Sequence, residues 1–186
     1  NQAEDISHII GSCPRLAGSM YLPLRHNEVA KTLYNAITQK AEPTLPFKNP
    51  ESISHAGPLE ILWDRRINTS PKVANNKPDM VIWNNDTNEC NILEVGVPLD
   101  TNVQRIEDEK CCKYMPLKIC LQRMYPDHKV EIAAIIIGAT RHVTKNLAQS
   151  IMKLGFQEKE TVSLISRLQE RAILGTVKIA KSALRK

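Results

Sequence analysis

No apolar run in the 186-residue sequence approaches the roughly 18 residues that a membrane-crossing helix requires, so hydropathy offers no spanning segment. Asn1 to Ser7 lack the basic and then apolar profile of a secretory signal. The expectation is a soluble, intracellular chain without a membrane partner. Aromatic side chains make up only 4% of the residues, which leaves a core to be built mainly from aliphatic groups. Internal repeats and low-complexity tracts are absent. Cysteine is sparse and its count of five is odd, with Cys111 and Cys112 adjacent in a helical pattern, so free thiols in a reducing compartment are expected rather than a disulfide framework. The sequence also opens without methionine, and reads as a piece of something longer.

What is present is ordinary for a globular chain: 42% apolar and 24% charged residues. The length supports one good core with appendages rather than two domains and a linker. Lysine and arginine exceed aspartate and glutamate by 25 − 20 = 5, and the pI is near 9.0, which permits a polyanionic partner without demanding one.

Along the chain, residues 1–24 carry Gly11, Pro14, Gly18 and Pro23 and read as an irregular module or linker. Val29, Ala30, Leu33, Tyr34 and Ile37 recur at helical spacing and predict a helix over 27–39. Pro43, Pro46, Pro50 and Pro58 predict a long connection before a strand over 59–67. Two β-rich runs, 79–83 and 90–97, flank the polar segment 84–89 and predict a hairpin. After Pro98 a helix is expected over 103–124, with Pro116 as a kink or restart because it cannot donate to Cys112. A strand buried on both faces follows at 130–137, and segments 142–154 and 158–186 read as helices. The predicted class is α/β, a mixed sheet with core order αβββαβ. Its expected divisions are 1–24, a core over 25–137 and a C-terminal helical extension over 138–186.

The chemistry-bearing region is the hairpin. Symmetric closure places Trp83 opposite Cys90, and counting back places Asp79 opposite Glu94 on one face, with Cβ atoms about 4.5–5.5 Å apart. Two like charges so placed repel unless a cation lies between them, and a hard divalent cation with oxygen ligands, Mg²⁺ first, resolves this. Taken singly, Asp79 reads sooner as a turn residue after Pro78, and Glu94 as a solvent-facing strand residue. Lys110 shifts the balance. At about 100° per residue it falls in the middle of the apolar stripe of Val103, Ile106, Tyr114, Leu117 and Leu121, where a solvated lysine would not sit. A buried ammonium needs an acid, and the neighbouring strands offer two. Lys113, at the stripe's edge, either shares that role, contacts phosphate, or is an exposed charge beside Glu109. Two acids and a lysine around Mg²⁺ suit phosphodiester hydrolysis, although other metal-assisted hydrolyses use similar groups.

Lys77-Pro78-Asp79, fourteen intervening residues, Glu94, then Val95 to Pro98 and Glu109-Lys110 to Lys113-Tyr114 together resemble the restriction-like endonuclease domain of site-specific non-LTR retrotransposons, a variant of the PD-(D/E)XK nuclease fold. Arg25-His26-Asn27 resembles the motif that precedes the first helix in that family, and the likeness runs from His8 to the final arginine and lysine. The resemblance implies that Asp79 and Glu94 hold Mg²⁺ or Mn²⁺, that Lys110 is the catalytic lysine moved from strand to helix, and that Lys113 and Tyr114 assist it. Arg25, His26, Lys113 and Tyr114 become DNA-contact candidates. His8 and Cys13 resemble the second half of a CCHC zinc knuckle whose earlier cysteines would precede Asn1. Two departures stand out: Gly96 occupies the position where the general pattern has its lysine, and Glu94 stands where the family often has aspartate.

By the same resemblance the chain would nick double-stranded target DNA in the nucleus to prime reverse transcription, working with element RNA through the parent polyprotein, with a dimer left open. The alternatives are a catalytically inactive nucleic-acid-binding module derived from such an element, and a zinc-dependent interaction domain. Lys178, Lys181, Arg185 and Lys186 near the end read either as phosphate contacts or as a solvated face.

Overall fold

The structure is a computed structural model that describes residues 5–183. Where punctuation predicts an irregular entry, the chain is instead helical: turns at His8–Ser12 and Pro14–Leu16 lead into a widened helix, Ala17–His26, with Pro23 inside it. Tertiary bonds override the local breakers here. The Tyr21 hydroxyl donates to the Ile9 carbonyl at 2.7 Å and accepts from the Cys13 amide, while the Arg25 guanidinium donates to the Ile10 carbonyl at 2.6 Å. The widened helix runs directly into α1, Asn27–Ala41, where Val29, Ala30, Leu33, Tyr34 and Ile37 are all in the core as their spacing predicts, and burial extends around the helix to Thr32, Asn35 and Thr38.

Five strands form one sheet in the order of the chain: β1 Ile53–Ala56, β2 Leu59–Trp63, β3 Met80–Asn84, β4 Glu89–Gly96 and β5 Lys129–Ile136. The first four are antiparallel neighbours, and β5 lies parallel to β4 after the crossover helix α2, Val103–Met124. Strand β1 lies inside the region read as a connection, so the sheet gains an edge strand over the expected αβββαβ order. Gly57, at φ +53°, turns β1 into β2, and Asp64, at φ +48°, ends β2 before the expected residue 67. Pro116 lies inside α2, which continues through it rather than restarting. Helices α3, Asn146–Met152, and α4, Glu158–Ala183, close the described chain.

Side-chain alternation splits the sheet into two faces. Met80, Ile82, Leu93, Val95, Ala133 and Ile135 pack against α1, α3 and α4. Val81, Cys90, Ile92 and Val130 pack against Tyr114, Leu117 and Leu121 of α2. Leu147, Ile151, Leu164, Leu168 and Ala172 belong to the first of these cores, so the helices after residue 138 are built into the fold rather than appended to it. No helix among the described residues is long and apolar enough to cross a membrane.

Candidate active site

The hairpin register decides where the carboxylates lie. Trp83 pairs with Cys90 and Met80 with Leu93, so the next step out sets Asp79 opposite Glu94, as symmetric closure predicts. Pairing reaches Asn84 and Glu89, which shortens the loop to 85–88 without shifting the register. Asp79 lies one residue before β3 and replaces the ladder there. Its carboxylate accepts from the Val95 amide at 2.7 Å, and its own amide donates to Glu94 Oε2 at 3.3 Å. Glu94 continues the series Cys90, Ile92 on the face covered by α2, whereas Asp79, just beyond the end of β3, lies at the edge of the sheet where the cleft beside His26 and Trp63 opens.

Lys110 comes down from α2 onto this pair. Its Nζ donates to Glu94 Oε1 at 2.5 Å, and Lys113 Nζ reaches the same oxygen at 3.2 Å. Glu94 is only 4% exposed, so this double pairing is what makes its charge tolerable. Lys113 also stands 4.5 Å from the centroid of the Tyr114 ring. Tyr114 itself is buried, and its hydroxyl donates to the Lys77 carbonyl at 2.9 Å, tying α2 to the approach of β3. Burial, reinforced by the charge of Glu94, pushes that hydroxyl above its ordinary pKa and keeps it a donor.

His26 joins the cluster from the other layer. At the start of α1, its Nε2 lies 3.3 Å from Asp79 Oδ1. Burial would raise the Asp79 pKa, but the His26 hydrogen bond and charge, the Val95 amide and the Lys110 charge outweigh it and hold the carboxyl below its ordinary value. Beside them opens a cleft of about 340 Å³ lined by His26, Glu28, Lys31, Trp63, Asp64 and Asp79. Sequence reasoning places His26 near DNA but not in contact with an acid. The motif Arg25-His26-Asn27 marks the segment, yet the meeting with Asp79 depends on how α1 docks.

Other expected site residues lie apart from this cluster. Arg25 is 3% exposed, with its guanidinium donating to the Ile10 carbonyl and to Thr176 Oγ1. It joins the entry segment to α4 and also borders a cavity of about 240 Å³ with Tyr21 and His26, while Tyr114 is enclosed with its hydroxyl on the Lys77 carbonyl. His8 and Cys13 are linked through Tyr21, which binds the backbone of both. Lys178 and Lys181 lie on α4, while Arg185 and Lys186 fall outside the described residues. A buried acid that the sequence did not flag, Glu107, accepts from Thr144 and Asn146 and ties α2 to the start of α3.

Asp79 and Glu94 supply the hard oxygen donors that a divalent cation of the Mg²⁺ type takes. Among the described residues no group of three or more His, Cys, Asp or Glu side chains is arranged to hold a metal. A cation here would therefore complete its shell with water and substrate oxygens, which is how Mg²⁺ is bound at sites with one or two carboxylates. The donor chemistry fits that mode, while every oxygen of the two carboxylates already has a partner in the fold, so a cation would share them with the Val95 and Asp79 amides, His26 and the two lysines. No protein-family model matches the chain, and no curated protein matches it.

Proposed function

We propose that this chain is a metal-dependent DNA endonuclease domain, with Asp79 and Glu94 as the Mg²⁺ or Mn²⁺ ligands and Lys110 as the group that stabilises charge on the phosphate. One observation carries the reading: the hairpin sets Asp79 opposite Glu94 at the end of its register, and two ammonium groups from the next helix converge on Glu94. When bound, the cation supplies an activated water and screens the phosphate. The chain's own groups do the rest. Lys110, held at Glu94 inside the α2 face, donates to the developing negative charge, and such a donor is worth about 10²–10³ in rate. Lys113 keeps Glu94 neutralised while Lys110 turns towards substrate. His26 orients Asp79, whose depressed pKa keeps it ionised and ready to bind a cation at neutral pH.

The resemblance to the retrotransposon endonucleases extends this proposal to nicking of nuclear target DNA, with the cut priming reverse transcription by the longer parent protein. In a chain extended upstream, His8 and Cys13 would supply half of a zinc knuckle. A second reading, nucleic-acid binding without cleavage, draws on the closed network of Glu94 with Lys110 and Lys113, which neutralises itself without a cation.

A plasmid-nicking assay separates the two. Wild type with Mg²⁺ should convert supercoiled to nicked circles, chelator should stop it, and Asp79→Ala should bind DNA yet leave the plasmid intact. Lys110→Ala should slow nicking about 10²–10³-fold. Binding by wild type with no cation-dependent nicking would select the second reading, and undiminished nicking by Asp79→Ala would reject the site.

A further inference from the structure

A second concave site lies on the same sheet face, further along the hairpin. Glu60 pairs with Trp83 across β2 and β3, and Trp83 pairs with Cys90 across β3 and β4, so this row lies four residues along β3 from Asp79. At roughly 3.3 Å per residue that is about 13 Å. Here a cavity of about 450 Å³ is walled by Glu60, Arg65, Arg66, Trp83, Tyr125 and His128. Its size falls within the roughly 300–1,000 Å³ of small-molecule and cofactor sites.

The lining is unlike the rest of the chain. In a sequence with only two tryptophans and four tyrosines, Trp83, Tyr125 and His128 form a mutual edge-to-face cluster, with ring centroids 4.8, 5.3 and 5.9 Å apart. Tyr125 is nonetheless 41% exposed, which leaves part of it open to the cavity it lines. Arg65 and Arg66 are both exposed, and among the described residues neither forms an ion pair, although Lys77 nearby is paired with Asp64. Stacking rings beside unpaired guanidinium groups are what single-stranded nucleic-acid sites combine. Glu60 refines the match: a carboxylate would repel a bare phosphate, but it accepts hydrogen bonds from the exocyclic amine of a base.

The geometry points to a subsite for one unstacked nucleobase of a DNA strand, its ring against Tyr125 and its phosphate on Arg65 and Arg66, a few nucleotides from the bond held at Asp79 and Glu94. This rests on the reading of the chain as a DNA-cutting domain, and goes beyond it by assigning a strand-holding site that reads an unpaired base. The enzyme would therefore favour DNA that is already unpaired or easily melted beside the cut.

The test is oligonucleotide binding by fluorescence anisotropy with the 186-residue chain in chelator, where no cleavage occurs. Wild type should bind a single-stranded oligonucleotide about ten- to a hundred-fold more tightly than the same length made abasic, and Tyr125→Ala should lose that difference while Tyr125→Phe keeps it. Arg65→Ala and Arg66→Ala should weaken both strands and flatten the salt dependence. Equal binding of abasic and natural strands, or a Tyr125→Ala protein that still discriminates, overturns the proposal. So does a free mononucleotide that binds as tightly as the oligonucleotide, which would make the cavity a small-molecule site. Base-dependent binding by a protein that never nicks would uphold this subsite and sink the nuclease reading. Nicking without base dependence would do the reverse.

Discussion

Asp79 is the residue on which competing effects meet. Burial opposes its charge, yet His26, the Val95 amide and Lys110 together favour the carboxylate, so the folded pKa lies below that of the unfolded chain, about 3.9. The sign follows from linkage: a group with a depressed folded pKa contributes stability that is fully present above its unfolded value and is lost as pH falls through the folded one. Asp79→Asn should thus differ most from wild type near neutrality, and the gap between their urea midpoints should shrink as pH falls below about 4. A gap that stays constant down to pH 2 would mean that the ion pairing contributes nothing. At this scale Asp79, Glu94 and Lys110 were legible because each is fixed by a period, two for the strands and 3.6 for the helix. Arg25 and His26 are adjacent residues with opposite fates, one enclosed and one at the acid. No period distinguishes them, since the docking of α4 and α1 decides it.

Helix α2 carries both lysines, and its interior proline makes it a test of element-level argument. Pro116 cannot donate to the Cys112 carbonyl, and its ring crowds that turn, yet the helix is unbroken from Val103 to Met124 because Tyr114, Leu117 and Leu121 are buried on the sheet on both sides of it. Packing has overridden propensity. Pro116 is exposed, so Pro116→Ala should restore the missing bond without removing a core contact. The intrinsic gap of about 3 kcal/mol, which already includes the freer unfolded chain, predicts a gain of up to about 3 kcal/mol in urea denaturation. A loss would show that the proline itself helps to seat the helix on the sheet. The hairpin and crossover were readable as elements because their apolar patterns are long and regular. Strand β1 was not: four residues containing Ser54 and His55 between prolines acquire strand structure only from pairing with β2.

Across the whole molecule, the distant C-terminal helix sets the position of the segment that delivers His26. Thr176 on α4 accepts from Arg25, and Gly175 beside it lies so close that an added Cβ would meet the Leu24 carbonyl oxygen at 2.6 Å and the Arg25 Cα at 2.7 Å. Both are backbone atoms with nowhere to turn, so a side chain at 175 must push the widened helix away from α4. Overpacking of this kind costs about 1–3 kcal/mol, which for a chain of this length lowers Tm by about 3–10 °C. Gly175→Val should show that loss, with a smaller one for Gly175→Ala. Because the displaced backbone leads into His26, on the proposed nuclease function the same variant should also nick DNA more slowly under conditions where it remains fully folded. His26→Ala supplies the comparison: if the helix contact acts through His26, adding Gly175→Val to it should slow nicking little further. A full additional loss in the double variant would mean that α4 supports the site by another route, through the α1 core rather than through the histidine.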